Sequence, residues 1–257
     1  MSPAPLRLVT IGFSHYCEKA RWALERAGLP FTEDRHPPVL HALAVKRAGG
    51  TRQTPLLVTP DGPLDESTAI LRWIDAQGPA ERALFPADPA LAAEVEALED
   101  RFDEILGPAT RRIIYYHGLP RPLLLLRTAL AGVPWWEKLV FPLMAPVAIP
   151  IVRKITRSYR AETQRGFDEV REIFTEVEAR LADGRRYLVG DRFTAADLTF
   201  AALAAPVILP VGYGARLPAA SALPAPLQTY MAELAERPAT AFVHRLYREH
   251  RSSPGGE

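Results

Sequence analysis

Strand and helix signals alternate along the chain only as far as Gln77-Gly-Pro-Ala80, and nothing beyond that stretch reads as a strand. A chain broken in this way folds as an α/β unit followed by an all-helical one. Before the break, Leu6-Arg-Leu-Val-Thr-Ile11 is a short, nearly continuous apolar run closed by Gly12, the pattern of a buried strand. Ser14 then reads as a helix N-cap. Ala20, Ala23, Leu24 and Ala27 follow on one helical face, and Glu18, Lys19, Arg21, Glu25 and Arg26 are directed mostly elsewhere. Gly28 and Pro30 end this helix. A second strand fits Phe31 to Arg35, and a helix lies within Val39 to Ala48. Pro55-Leu-Leu-Val-Thr59 is a strand opened by proline, with the turn Pro60-Asp-Gly62 and a return strand near Leu64. Ile70, Leu71 and Ile74 give a closing helix its buried stripe after Ser67. The order is βαβ followed by ββα.

Phe85-Pro-Ala-Asp-Pro89 opens the second unit, with Asp88 and Pro89 as N-cap and first-turn residue. Leu91, Val95, Leu98, Phe102 and Ile105 form one helical stripe. Further helices are expected over Ala161 to Ala182, Thr194 to about Val207, and Pro226 to Arg248 with a break near Pro238. Thr194-Ala-Ala-Asp197 has capping-box spacing, with Phe193 and Leu198 placed as its hydrophobic staple. The expected domains are residues 1–80 and 88–257.

Composition narrows the function classes. The 31 basic and 30 acidic residues leave a net charge of +1, which provides no long-range field for nucleic acid or an anionic membrane. A single cysteine excludes an internal disulfide framework, and Met1 to Pro5 lack the apolar core of a secretory signal, so a reducing, cytoplasmic setting is expected. The segment from Ile113 to Arg160 stands apart. It holds Tyr115-Tyr-His117, Trp135-Trp136 and an apolar run to Ile151 in which Pro142, Pro146 and Pro150 recur every fourth residue. These prolines predict a kinked or broken helix, too poor in apolar residues to span a bilayer. Packing over a pocket is the favoured reading; a membrane-surface or partner-binding segment, suggested by Arg153, Lys154, Arg157 and Arg160, is the other.

Three short elements follow one another in the first unit: Ser14-His-Tyr-Cys17, Gln53-Thr-Pro55 and Glu66-Ser67. With Leu84-Phe-Pro86 and Gly190-Asp-Arg-Phe-Thr-Ala-Ala-Asp-Leu198, this ordered set resembles the cytosolic glutathione S-transferase family, serine-type and bacterial-like, with no class assigned. The resemblance implies a thioredoxin-like N-terminal domain, an all-α C-terminal domain, glutathione as co-substrate and no metal. It implies that Ser14 is catalytic, its hydroxyl donating to the glutathione sulfur at a helix N-terminus, where about half a positive charge also favours a thiolate. Pro55 then matches the family's cis-proline, leaving the Thr54 backbone free to pair with glutathione. Gln53 and Arg52 would contact the peptide and its glycine carboxylate. Ser67 would hold the γ-glutamyl carboxylate and Glu66 the ammonium group. Phe13, His15, Tyr115, Tyr116 and His117 become candidates for lining the second-substrate pocket, with His15 also readable as an exposed first-turn residue. The implied protein is a homodimer acting on a small apolar electrophile, in detoxification. Two alternatives remain open: a catalytically weak glutathione-binding or interaction protein, and a thiol reductase using Cys17, which serine at the first motif position disfavours.

Overall fold

The computed structural model describes residues 6–251. Strands β1 (Leu6–Thr10), β2 (Phe31–Arg35), β3 (Leu56–Thr59) and β4 (Gly62–Leu64) form one sheet in the order β2-β1-β3-β4. β1 and β2 run parallel, with Leu8 opposite Glu33, and β3 turns antiparallel to β1 with Leu57 opposite Leu8. Leu8 and Leu57 are fully buried, as a strand packed beneath helices requires. Helices α1 (His15–Ala27), α2 (His41–Arg47) and α3 (Ser67–Gln77) complete the βαβ and ββα units that the sequence signals anticipate.

From Pro89 onward every regular element among the described residues is helical. α4 (Pro89–Arg101) passes through a single π turn, Phe102–Leu106, into α5 (Gly107–Gly118). α6 (Pro122–Ala129), α7 (Trp135–Thr156), α8 (Arg160–Leu181), α9 (Ala195–Ile208), α10 (Ala225–Ala235) and α11 (Pro238–His250) follow. α9 is the central helix: all of it except Ile208 is buried. Its start is fixed as the spacing predicts, since the Asp197 carboxylate accepts from the Thr194 amide and hydroxyl, both at 2.9 Å, and from the Leu188 amide.

The two halves share one apolar core. α1 lies between the sheet and α9, and the Trp22 indole donates to the His250 carbonyl at 2.9 Å. This arrangement overturns one expectation from the sequence. Glu18, Lys19 and Arg21 do not face solvent; all three are buried, because the helical half covers the side of α1 that a lone domain would expose. Their charges are matched within the interface. Lys19 Nζ lies 2.7 Å from both Glu99 and Asp103, and Arg21 pairs with Glu18 and Glu33. Glu18 also pairs with Arg251 at 3.0 Å.

A second difference concerns α7. It is one continuous 22-residue helix, not a broken one, and it is long and apolar enough by length and composition to cross a membrane. Prolines four residues apart fall near one helix face, so the amides they lack are lost from that side while the remaining lines of bonds hold the helix. Leu91, predicted within the α4 stripe, is 38% exposed, whereas Val95 on the next turn is fully buried.

Candidate functional site

The site begins where β1 hands the chain to α1. Gly12 is buried, and Ser14 takes the N-cap position with extended backbone, φ −69° and ψ 130°. Its side chain makes no capping bond, contrary to the plain N-cap reading, so the hydroxyl is not committed to the helix amides. Cys17 is wholly buried, and burial pushes its thiol up to about 11, so it stays protonated near neutral pH. A thiol so placed is a poor nucleophile, which weighs against the reductase alternative.

Ser14 opens onto a cleft of about 690 Å³ between the sheet-bearing half and helices α5, α6 and α7. Arg52, Gln53 and Thr54 stand on one wall, directly before the cis Thr54-Pro55 bond. Phe13 and Tyr115 face each other across the cleft, ring centroids 6.2 Å apart. Burial raises the Tyr115 phenol to about 12, so it remains a proton donor. Ile151, Val152 and Ile155 of α7 close the far side with Leu124 and Leu125 of α6. His117 is also on the wall, whereas Tyr116, one helical step from Tyr115, is turned off it and meets His117 edge-on.

Glu66 and Ser67 lie outside the walls of this cleft, at the start of α3. Glu66 is the N-cap: its two carboxylate oxygens accept from the Thr68 and Ala69 amides at 3.0 and 2.7 Å. It is exposed, and its remaining lone pairs face solvent. Ser67 is nearly buried, 3.4 Å from Asp103 and 3.5 Å from Lys19. The buried Lys19, Glu99 and Asp103 cluster therefore underlies this helix start. Sequence reading missed it, although Glu99 and Asp103 at i, i+4 spacing put two carboxylates on one helix face.

His15 is 5% exposed, not a surface residue of the first turn. Its Nε2–H donates to the Gly107 carbonyl at 3.0 Å, and burial together with the Arg111 charge lowers its pKa to about 3. Tyr16 docks beside it, donating to the Asp103 carbonyl at 2.8 Å across Gly107, where an added Cβ would lie only 2.6 Å from the phenol ring. These two rings hold the cleft's halves together. Because the folded state keeps His15 neutral while the unfolded chain protonates it near pH 6.5, unfolding takes up a proton below that pH. Stability should therefore fall by about 1.4 kcal/mol per pH unit from this group as pH drops below about 6.5 towards its folded value. Urea titrations should show a shallower acid slope in His15→Gln; equal slopes in variant and wild type would remove His15 as the source.

Arg111 is the other residue the sequence did not single out. It stands on the cleft wall near Tyr115, and among the described residues its guanidinium has no carboxylate partner and its Nε no hydrogen bond. A half-buried cation facing an apolar cleft suits a negative group on a ligand. Among the described residues no three His, Cys, Asp or Glu side chains converge as a metal site.

Two family models match the chain. The glutathione S-transferase N-terminal domain matches residues 8–82, and the glutathione S-transferase C-terminal domain matches residues 160–232; together they cover more than half of the sequence. The chain belongs to the glutathione S-transferase family. As a glutathione transferase, it shares its fold with solved structures across nearly its whole length. A glutathione S-transferase from Methylobacterium radiotolerans, in complex with glutathione sulfonate, is 20% identical with a TM-score of 0.55, over 99% of this chain and 98% of that one. One from Methylobacillus flagellatus with glutathione bound is 16% identical with a TM-score of 0.56, over 93% and 98%. One from Rhodospirillum rubrum is 22% identical with a TM-score of 0.53, over 97% and 94%. No protein of curated function matches the chain by sequence.

Proposed function

We propose that this transferase binds glutathione along residues 52–54 and the start of α3, ionises its thiol beside Ser14, and adds the thiolate to an apolar electrophile held in the cleft. The observation that carries the reading is the Ser14 hydroxyl: it sits at a helix N-terminus, on the cleft wall, and is not spent on capping. It is free to donate to the incoming sulfur, a thiolate that the helix dipole also favours. Residues 1–80 act as the glutathione-binding domain and 88–257 supply the wall for the second substrate. Arg111 and the neutral Tyr115 phenol face charge that develops on the electrophile. The enzyme works in the cytoplasm as a homodimer, in detoxification of such electrophiles.

Binding calorimetry with glutathione, run beside a panel of electrophiles, tests this reading. Glutathione should bind and at least one apolar electrophile should turn over; binding with no turnover across the panel would favour the weak binding-protein alternative. Glu66→Ala or Ser67→Ala should weaken glutathione binding by about 1 to 3 kcal/mol, through loss of charge-assisted hydrogen bonds. Unchanged affinity in both variants would detach the start of α3 from the glutathione site.

A further inference from the structure

α7 carries a strip of exposed apolar side chains at every fourth position: Trp135, Leu139, Leu143, Val147, Ile151 and Ile155. Leu143 is 82% exposed and Val147 65%. The strip runs the length of the helix, about 30 Å at 1.5 Å per residue, and winds by about 40° at each step, so that Leu139 to Ile151 share one face with Trp135 and Ile155 at its margins; this is far more contiguous apolar surface than a free helix face carries without a partner. Its setting is cationic. Between Ile113 and Arg160 the chain holds seven Lys and Arg side chains and a single carboxylate, Glu137. Glu137 is buried, with His36 Nδ1 2.7 Å away. Since the whole chain carries only +1, the positive charge is concentrated around this helix.

We infer that α7 seats the protein on an anionic bilayer surface, and that the cleft takes a long-chain electrophile from that bilayer. A long apolar face beside Lys138, Lys154, Arg157 and Arg160, with Trp135 and Trp136 at one end, is the chemistry of a helix lying in the headgroup boundary. A second copy of the chain fits poorly, because a twofold contact would set this cationic strip against itself. A span is opposed by the inner side of the same helix, where Phe141, Ala148 and Thr156 are buried against the protein.

The assignment of the substrate rests on the activity proposed above. Ile151 and Ile155 belong both to the exposed strip and to the cleft wall, so a seated α7 opens the cleft at the acyl boundary. A long-chain α,β-unsaturated aldehyde fits this path. The glutathione thiolate forms a bond to its β-carbon, the C=C π pair moves towards the carbonyl, and the α-carbon takes a proton from water. The charged conjugate then leaves for water.

Flotation with vesicles tests the seat. The protein should float with vesicles of equal parts phosphatidylcholine and phosphatidylglycerol and not with phosphatidylcholine alone, and added salt should weaken the binding. Leu143→Glu with Val147→Glu, both away from the cleft wall, should lower vesicle affinity about a hundred-fold. Lys154→Glu with Arg160→Glu should lower it about ten-fold or more. The Leu143 and Val147 variant should also lose turnover of a long-chain unsaturated aldehyde carried in anionic vesicles, while keeping turnover of the short-chain homologue in water.

Failure of the wild type to float, equal flotation by the apolar-strip variant, or resistance to alkaline carbonate extraction overturns surface docking. So does dissociation of a dimer by the same substitutions, seen in sedimentation velocity. Flotation without loss of vesicle-borne turnover in the variant overturns the substrate route. Flotation by a protein that turns over no electrophile at all leaves the docking surface standing and removes the proposed activity.

Discussion

Lys19→Met should cost the protein about 3 to 5 kcal/mol of unfolding free energy near neutral pH, the range for breaking a buried ion pair by removing one partner. Lys19 is fully buried, with its ammonium 2.7 Å from each of two carboxylates, Glu99 and Asp103. Burial raises the pKa of both acids, and Lys19 is the principal influence holding each down. Methionine fills a similar volume and removes that charge, leaving two carboxylates in one desolvated space. They should respond by binding a proton. Because their folded pKa values then lie further above the unfolded ones, the variant should recover stability as pH falls and lose it as pH rises. Urea unfolding near pH 7 and about pH 5 reads both effects. A loss under about 1 kcal/mol, or one that grows on acidification, would show that the cluster does not hold α1 to α4.

Ser14→Ala should leave the fold and most glutathione affinity intact, and lower turnover by one to two powers of ten, about 1.4 to 2.7 kcal/mol of transition-state stabilisation. The hydroxyl caps nothing, so its removal exposes no helix amide that it had satisfied. What is lost is a donor to sulfur, and the pKa of bound glutathione should rise accordingly, read from the pH dependence of thiolate absorbance. Cys17→Ala should have a much smaller effect, since that thiol is buried and protonated. Reversed effects of the two substitutions would return the reductase reading.

The sheet-bearing half was legible because its signals are local. Leu6 to Ile11, the proline ahead of Leu56 and the turn at Asp61-Gly62 place their strands without reference to the rest of the chain. The capping box at Thr194 was legible for the same reason. The burial of Glu18, Lys19 and Arg21 was not, because polarity is a guide to the surface only until another element covers it. The same limit applies to His15, whose partner, Gly107, lies 92 residues away. Arg111 escaped notice because an arginine on a helix gives no sign in sequence of whether a carboxylate will meet it. Tyr115 and Tyr116 are adjacent in sequence and diverge in space, a divergence set by the phase of α5 on α8.

The prolines of α7 carry a consequence for depth. Pro142, Pro146 and Pro150 offer no amide to the carbonyls one turn back, those of Lys138, Pro142 and Pro146. Three acceptors are thus left along one side of a helix that is otherwise apolar enough for hydrocarbon. Water can satisfy them among lipid headgroups, and acyl chains cannot, at several kcal/mol for each unmatched group. The prolines therefore act as a depth gauge: the helix can rest in the hydrated boundary of a bilayer, and sinking further becomes costlier with each carbonyl that goes under.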